Sequence, residues 1–199
     1  MLVEEAKRAF ERLTGFRRPA KTALPALVRK RKPATSRFKD DGETPNNPVL
    51  PLVVYRNAIV LDRAFDPAAV MEEIFAANGW GDSWRDGVYD FRHFHTMTHE
   101  VLGIARGQVK VEFGGAKGKA LTLKAGDVAV LPAGTGHRRL SASRDLLVVG
   151  AYPGQGKYDE PRPDEVDHVK ARASIAKVKC PKADPVYGRD GPLLSLWKS

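Results

Sequence analysis

Three histidines and a glutamate, His93, His95, Glu100 and His137, have the types and spacing of a ligand set for one metal ion. His93 and His95 are separated by one residue. On a strand, where side chains alternate between faces, that spacing turns both imidazoles to the same side. A carboxylate from the next strand, Glu100, and an imidazole from a distant strand, His137, can then close on the same ion. Imidazole with carboxylate suits borderline first-row metals, and no thiolate is at hand to draw the site toward a sulfur-rich structural zinc centre. Four of the five histidines lie in the two short blocks that carry these residues, which makes scattered core or surface histidines the weaker reading. Such a donor set leaves two positions open on a six-coordinate ion. Fe, Mn or Ni there permits oxygen chemistry on an enol, diol or thiol. Zn or Mn serves instead as a Lewis acid for isomerisation or decarboxylation of a carbonyl compound.

Other residues near the set are candidates for holding substrate. Tyr89 shares strand parity with His93 and His95, so it either orients a substrate or packs in the core. His99 is adjacent to Glu100; parity turns it away from the ion, and it reaches the site only by rotating through the turn before Glu100. Arg139 shares the parity of His137 and would suit a substrate carboxylate or a surface ion pair. Trp80 and Trp84 precede the first block and either wall a cavity mouth or fill the core. His168 sits in a charged segment and reads as an exposed histidine.

Short strands are expected to carry these residues. From Tyr89 to Tyr152 the chain reads VYDFRHFH, EVLGIAR, QVKVEFGG, KALTLKAG, DVAVLPAG and DLLVVGAY, separated by glycine turns. Strands at this spacing without interleaved helices indicate an all-β sandwich or barrel. Before them, LVVY and AIVL are strand candidates, and one helix is well signalled. Asp66 is its N-cap, Pro67 occupies its first position, and Val70, Met71, Ile74 and Phe75 form its buried face, with Gly79 as its stop. Leu193, Leu194, Leu196 and Trp197 make the carboxy-terminal end too apolar for a free tail, so it packs on the barrel or on a partner subunit.

The 199 residues suit one domain with extensions, and 42% apolar content is enough for a packed core. No apolar run approaches the length of a membrane helix, and no secretory signal is visible. One cysteine, Cys180, excludes an internal disulfide and reads as a small packed residue; a reducing, cytoplasmic setting is expected. Residues 1–39 hold twelve Lys/Arg and three acids, so the whole formal charge of +9 sits there. Within this leader, VEEAKRAFERLTG reads as an amphipathic helix with Val3, Ala6, Phe10 and Leu13 on one stripe. The stretch from Phe16 to Asp40 reads as a flexible basic arm. Its run Arg29–Lys32 would suit nucleic acid or an anionic surface, though a solvated tail is the simpler reading.

The block GVYDFRHFHTMTHEVLGIARG from Gly87 and the block GDVAVLPAGTGHRRLS from Gly126 resemble the two signature motifs of the cupin superfamily. The only departure is Ser141, where the second motif has asparagine. The resemblance implies a double-stranded β-helix of jelly-roll form, with one short helix before the barrel and a basic amino-terminal extension. It implies that His93, His95, Glu100 and His137 bind one divalent transition metal (Fe, Mn, Ni or Zn). Further segments, PNNPVLPLVVYRNA, FAANGWGDSW, VVGAYPGQGKYD and DPVYGRDGPLLSLW, resemble the uncharacterised bacterial single-domain cupins of the YjlB type over roughly residues 41–199. The expected organisation is a basic extension over 1–40 and a single cupin domain over 41–199. Its barrel spans about 85–152, and a tail over 153–199 packs on it. A homodimer follows on family grounds. Cupins include dioxygenases, sugar isomerases and epimerases, decarboxylases, storage proteins and sugar-binding sensors. The expected function is therefore a metal-dependent enzyme, oxygenase or sugar-type isomerase, acting on a small polar metabolite. The alternative is a non-catalytic small-molecule-binding sensor or carrier.

Overall fold

A computed structural model describes residues 17–154 and 158–198. The amphipathic helix expected over residues 3–15 lies outside the described residues. The fold is mostly β, and the described residues form nine strands in two antiparallel sheets. These are β1 (Ala34–Ser36), β2 (Leu52–Tyr55), β3 (Trp80–Asp86), β4 (Glu100–Arg106), β5 (Gln108–Phe113), β6 (Lys119–Lys124), β7 (Val128–Leu131), β8 (His137–Ala142) and β9 (Leu147–Pro153). The larger sheet runs β1-β2-β7-β4-β9-β3 and the smaller β6-β5-β8. Among the described residues three α-helices accompany them: α1 (Pro67–Ala77), α2 (His168–Ile175) and α3 (Pro192–Leu196).

The larger sheet is covered on both faces, and this explains its sequences. Even-numbered residues of β2 and β4 (Leu52, Val54, Leu102, Ile104) face the smaller sheet and meet Val109, Val111, Phe113 and Leu123. Odd-numbered residues (Val53, Tyr55, Val101) face Met71, Ile74 and Phe75 of α1 and Trp80 and Trp197. Strands buried on both faces read as continuous apolar runs, hence LVVY, and VAVL in β7. Strand β5 has one face on solvent and alternates, as QVKVEF does. Close approach of α1 requires Gly103 on β4, where a β-carbon would stand 2.6 Å from Met71 Sδ and 2.9 Å from Phe75 Cζ.

Helix α1 has the expected start. The Asp66 side chain accepts from the Ala68 N–H, Pro67 follows it, and Val70, Met71, Ile74 and Phe75 are buried. The strands differ in three places. VYDFRHFH is not a regular strand and contributes only an isolated bridge between His93 and His137. AIVL contributes only a bridge from Ile59 to Val28. Strands β3 and β8 carry too many polar residues (WGDSWRD, HRRLSA) to announce themselves by hydrophobic pattern.

The described part of the leader is not a flexible arm. Residues Lys21–Leu27 form a 3-10 helix that buries Leu24 and Leu27 in the core, and β1 pairs with β2 at the sheet edge. Arg18 meets Glu72 at 2.8 Å and Glu73 at 3.0 Å on α1. The basic composition masked a few apolar anchors, and the boundary near residue 40 falls inside the packed fold. At the other end, Trp197 is buried and its indole N–H donates to the Pro51 carbonyl at 2.9 Å. Cys180 is exposed rather than packed. His168 is half-buried and reaches Asp40 at 2.9 Å. No described helix is long and apolar enough to cross a membrane.

Candidate metal centre

The strand parity that divides the core also sorts the candidate ligands. Glu100 opens β4 with the parity of Leu102 and Ile104, so its carboxylate enters the space between the sheets. His137 opens β8 opposite Phe113 of β5, from the facing sheet. His93 is held beside it by two backbone hydrogen bonds, at 3.2 and 2.9 Å. The loop before His137 is braced from elsewhere. Buried Asn46 donates through its amide to the carbonyls of Lys39 and Gly114 and accepts from the Gly136 N–H. Asn47 donates to the Ala133 carbonyl. Gly134 adopts φ +88°, and a β-carbon there would stand 2.7 Å from the Asn46 carbonyl oxygen.

The result is a buried cluster in which His93, His95 and His137 each offer a ring nitrogen, all within 4.8 Å of one another. Their Nδ1 atoms face backbone carbonyls: His93 that of Phe91 at 3.4 Å, His95 that of Asp159, and His137 that of Thr135 at 3.1 Å. A proton on each Nδ1 satisfies those carbonyls and leaves Nε2 as the free lone pair, the tautomer a metal needs. Glu100 Oε2 lies 3.3 Å from Nε2 of both His95 and His137. Despite these distances, neither His95 Nε2 nor Glu100 Oε2 has an aligned hydrogen-bond partner.

A carboxylate 2% exposed, with imidazoles around it and no Lys or Arg beside it among the described residues, calls for a cation. The electrostatics agree. Burial, reinforced by His137, lowers the His93 pKa to about 3, so that ring is neutral. Burial alone would lower the His95 pKa, but chiefly the negative charge of Glu100 outweighs it and raises it. Burial opposes ionisation of Glu100, yet His95 and His137 hold its pKa below the ordinary carboxylate range. The three imidazoles could therefore hold a metal ion, with the Glu100 carboxylate adjoining two of them.

A cavity of about 220 Å³ opens over the cluster, and His93, Glu100 and His137 form part of its lining. Tyr89 lies in its wall, stacked on Phe91 at 4.6 Å and edge-on to His93 at 5.1 Å. His99 is not at the site. It has the odd parity of β4 and is fully buried on the opposite face, against Trp197 at 4.7 Å, where its Nδ1 accepts from the Ala133 N–H at 2.9 Å. Arg139 is half-exposed, paired with Asp90 at 3.6 Å, and does not line the cavity.

Several wall residues escaped the sequence reading. Tyr158 and Glu160, after the last strand, line the cavity with Trp84. Tyr158 stacks on buried Tyr152 at 4.6 Å, and the Trp84 indole donates to the Tyr152 hydroxyl at 3.1 Å. Asp159 accepts from the Thr96 and Met97 N–H groups while its carbonyl meets His95. Their one sequence signal is an aromatic, acidic triplet, YDE, shortly after two glycines in the sequence PGQGK.

Two antiparallel sheets enclosing a three-histidine, one-glutamate cluster at one end of the barrel define a cupin. Within that class the chain belongs to the family of the uncharacterised protein YjlB of Bacillus subtilis. It is 41% identical to YjlB over 160 residues, 80% of this chain and 93% of that protein. No established family profile matches the chain. Among solved structures it resembles the acireductone dioxygenase of Bacillus anthracis, whose active centre holds a cadmium ion (17% identity, TM-score 0.32, 44% of this chain and 59% of that one). It also resembles a mutant of the oxalate decarboxylase OxdC of Bacillus subtilis (18% identity, TM-score 0.33, 65% of this chain and 28% of that one). The chain spans less than two thirds of either structure, and overlaps this low carry no inference about chemistry.

Proposed function

We propose that this cupin is a metal-dependent enzyme acting on a small polar metabolite, with oxygenase-type oxidation as its reaction class. The observation that supports this most directly is the convergence of imidazole Nε2 atoms and an unpartnered Glu100 oxygen on the floor of an open cavity. A divalent transition metal held by His93, His95, Glu100 and His137 would supply coordination positions for a substrate heteroatom and a second small molecule.

The chain's own residues supply orientation and exclusion. Trp84, Val88 and Leu102 give the cavity apolar walls that shed water around a bound molecule. The Tyr89 pKa is raised by the Glu160 charge, then by burial and Asp86. The Tyr152 pKa is raised by burial and then by Glu100. Both tyrosines thus keep their protons and act as neutral donors rather than bases. Among the described residues Glu100 is the one buried carboxylate of the lining and is engaged by the cluster, while Asp86 and Glu160 in the wall are exposed. A scarcity of bases favours oxidation over isomerisation, which needs a well-placed proton acceptor.

The test is metal analysis by mass spectrometry on protein purified without a histidine tag, alongside His93→Ala and His137→Ala, with thermal melts as a folding control. Near-stoichiometric Fe, Mn or Ni in the wild type, lost in both folded variants, is the expected result. No metal after reconstitution with each candidate ion would leave a ligand-binding cupin in place of the enzyme. Zinc would redirect the search from oxygen uptake to isomerase and decarboxylase assays.

A further inference from the structure

The chemistry of the outer wall of the cavity restricts what enters it. Tyr89 and Tyr158 line it and stay 45% and 49% exposed, although aromatic side chains gain most by burial. Asp86 and Glu160 line it too. Neither carboxylate has an ion-pair partner among the described residues. Glu160 is met by the Tyr89 hydroxyl at 3.5 Å and Asp86 by the Gly87 N–H at 2.7 Å. Among the described residues the neighbouring arginines are engaged. Arg85, which also lines the cavity, is held by Asp66 at 2.7 Å and Glu72 at 2.6 Å. Arg139 faces Asp90, and Arg162 lies over the Phe91 ring at 4.1 Å.

The described wall therefore presents carboxylates and aromatic faces, with no free cation. The buried, unpartnered Glu100 oxygen on the floor marks the cavity as a ligand site independently of the acids at its mouth. An anion crossing this outer wall loses hydration and meets charge of its own sign before it reaches the floor. An ammonium group meets an opposite charge and aromatic faces that attract cations.

We propose that the cavity selects a small amine: its ammonium group is held by Glu160 and the aromatic surfaces of Tyr89 and Tyr158, and its polar head faces the histidine cluster. This rests on the metal-centre reading for the head group alone. A substrate carboxylate on Arg139, one sequence-based expectation, has no place in this arrangement.

The experiment is calorimetric titration of the full chain with amino alcohols of two to five carbons, against hydroxy acids and diols of the same lengths. The wild type is compared with Glu160→Gln, a change at an exposed side chain. The expected result is an amino alcohol binding at least about tenfold tighter than the matching hydroxy acid and diol. That preference should fall about tenfold in Glu160→Gln while diol binding stays unchanged. Equal or tighter binding of the acid or diol, no binding of any amine, or no effect of Glu160→Gln overturns the proposal. Metal content is measured on the same samples. Metal present with no amine preference sinks this inference alone. A Glu160-dependent amine preference without metal sinks the metal reading alone.

Discussion

Adjacent residues 99 and 100 part company at the start of β4. Glu100 enters the space between the sheets and joins the imidazoles, while His99 enters the opposite core against Trp197. One step along a strand reverses the face, so adjacency in sequence argues against a shared site. His99→Phe should therefore keep its metal yet lose about 1–3 kcal/mol of stability, because the buried Ala133 N–H loses its acceptor. Metal content and a denaturant titration on the same variant check this; loss of metal from well-folded His99→Phe would return His99 to the site. The cluster itself was legible because ligand-type residues are rare and their spacing survives without a regular strand. His93 and His95 are placed by a bridge to His137 and by the Asp159 carbonyl instead of by strand alternation. Tyr158 and Glu160 were illegible because nothing local says that a loop beyond the last strand folds back over the barrel mouth.

At the scale of elements, the strands found from sequence were those with apolar faces, and the three missed, β1, β3 and β8, are made largely of polar or exposed residues. Strand β3 also carries Arg85, which ties it to α1 through Glu72 and Asp66. Burial would raise the Glu72 pKa, but hydrogen bonding and charge from Arg85, with Arg18, outweigh it and lower it. A carboxylate with a lowered folded pKa adds stability that is present above its unfolded pKa and lost as pH falls through the folded one. Arg85→Ala should thus cost about 1 kcal/mol near pH 7, a drop of roughly 2–4 °C in Tm. The gap from wild type should close toward pH 3. Melting curves at both pH values check this, and a gap that widens in acid would refute the assignment.

Across the whole molecule, the amino-terminal stretch from Arg17 belongs to the fold that its composition seemed to exclude. Charge dominated the reading, yet two leucines and three strand residues decide the packing. Leu27→Ala should cost about 2–5 kcal/mol by opening a cavity beside α1. An unchanged Tm would mean that the segment is the loose arm its sequence suggests. Asp40 extends the same connection, since it meets His168 on α2, so residues far apart in the chain close one surface.

The tryptophans are unevenly placed. Trp80 and Trp197 are fully buried in the core beneath α1, whereas Trp84 stands in the cavity wall with its indole bonded to Tyr152. The chain therefore carries a built-in optical reporter. Filling the cavity should shift or quench the emission of one indole while the other two stay silent, and Trp84→Phe should abolish that response. A paramagnetic ion at the histidine cluster should quench the same indole before any substrate is added.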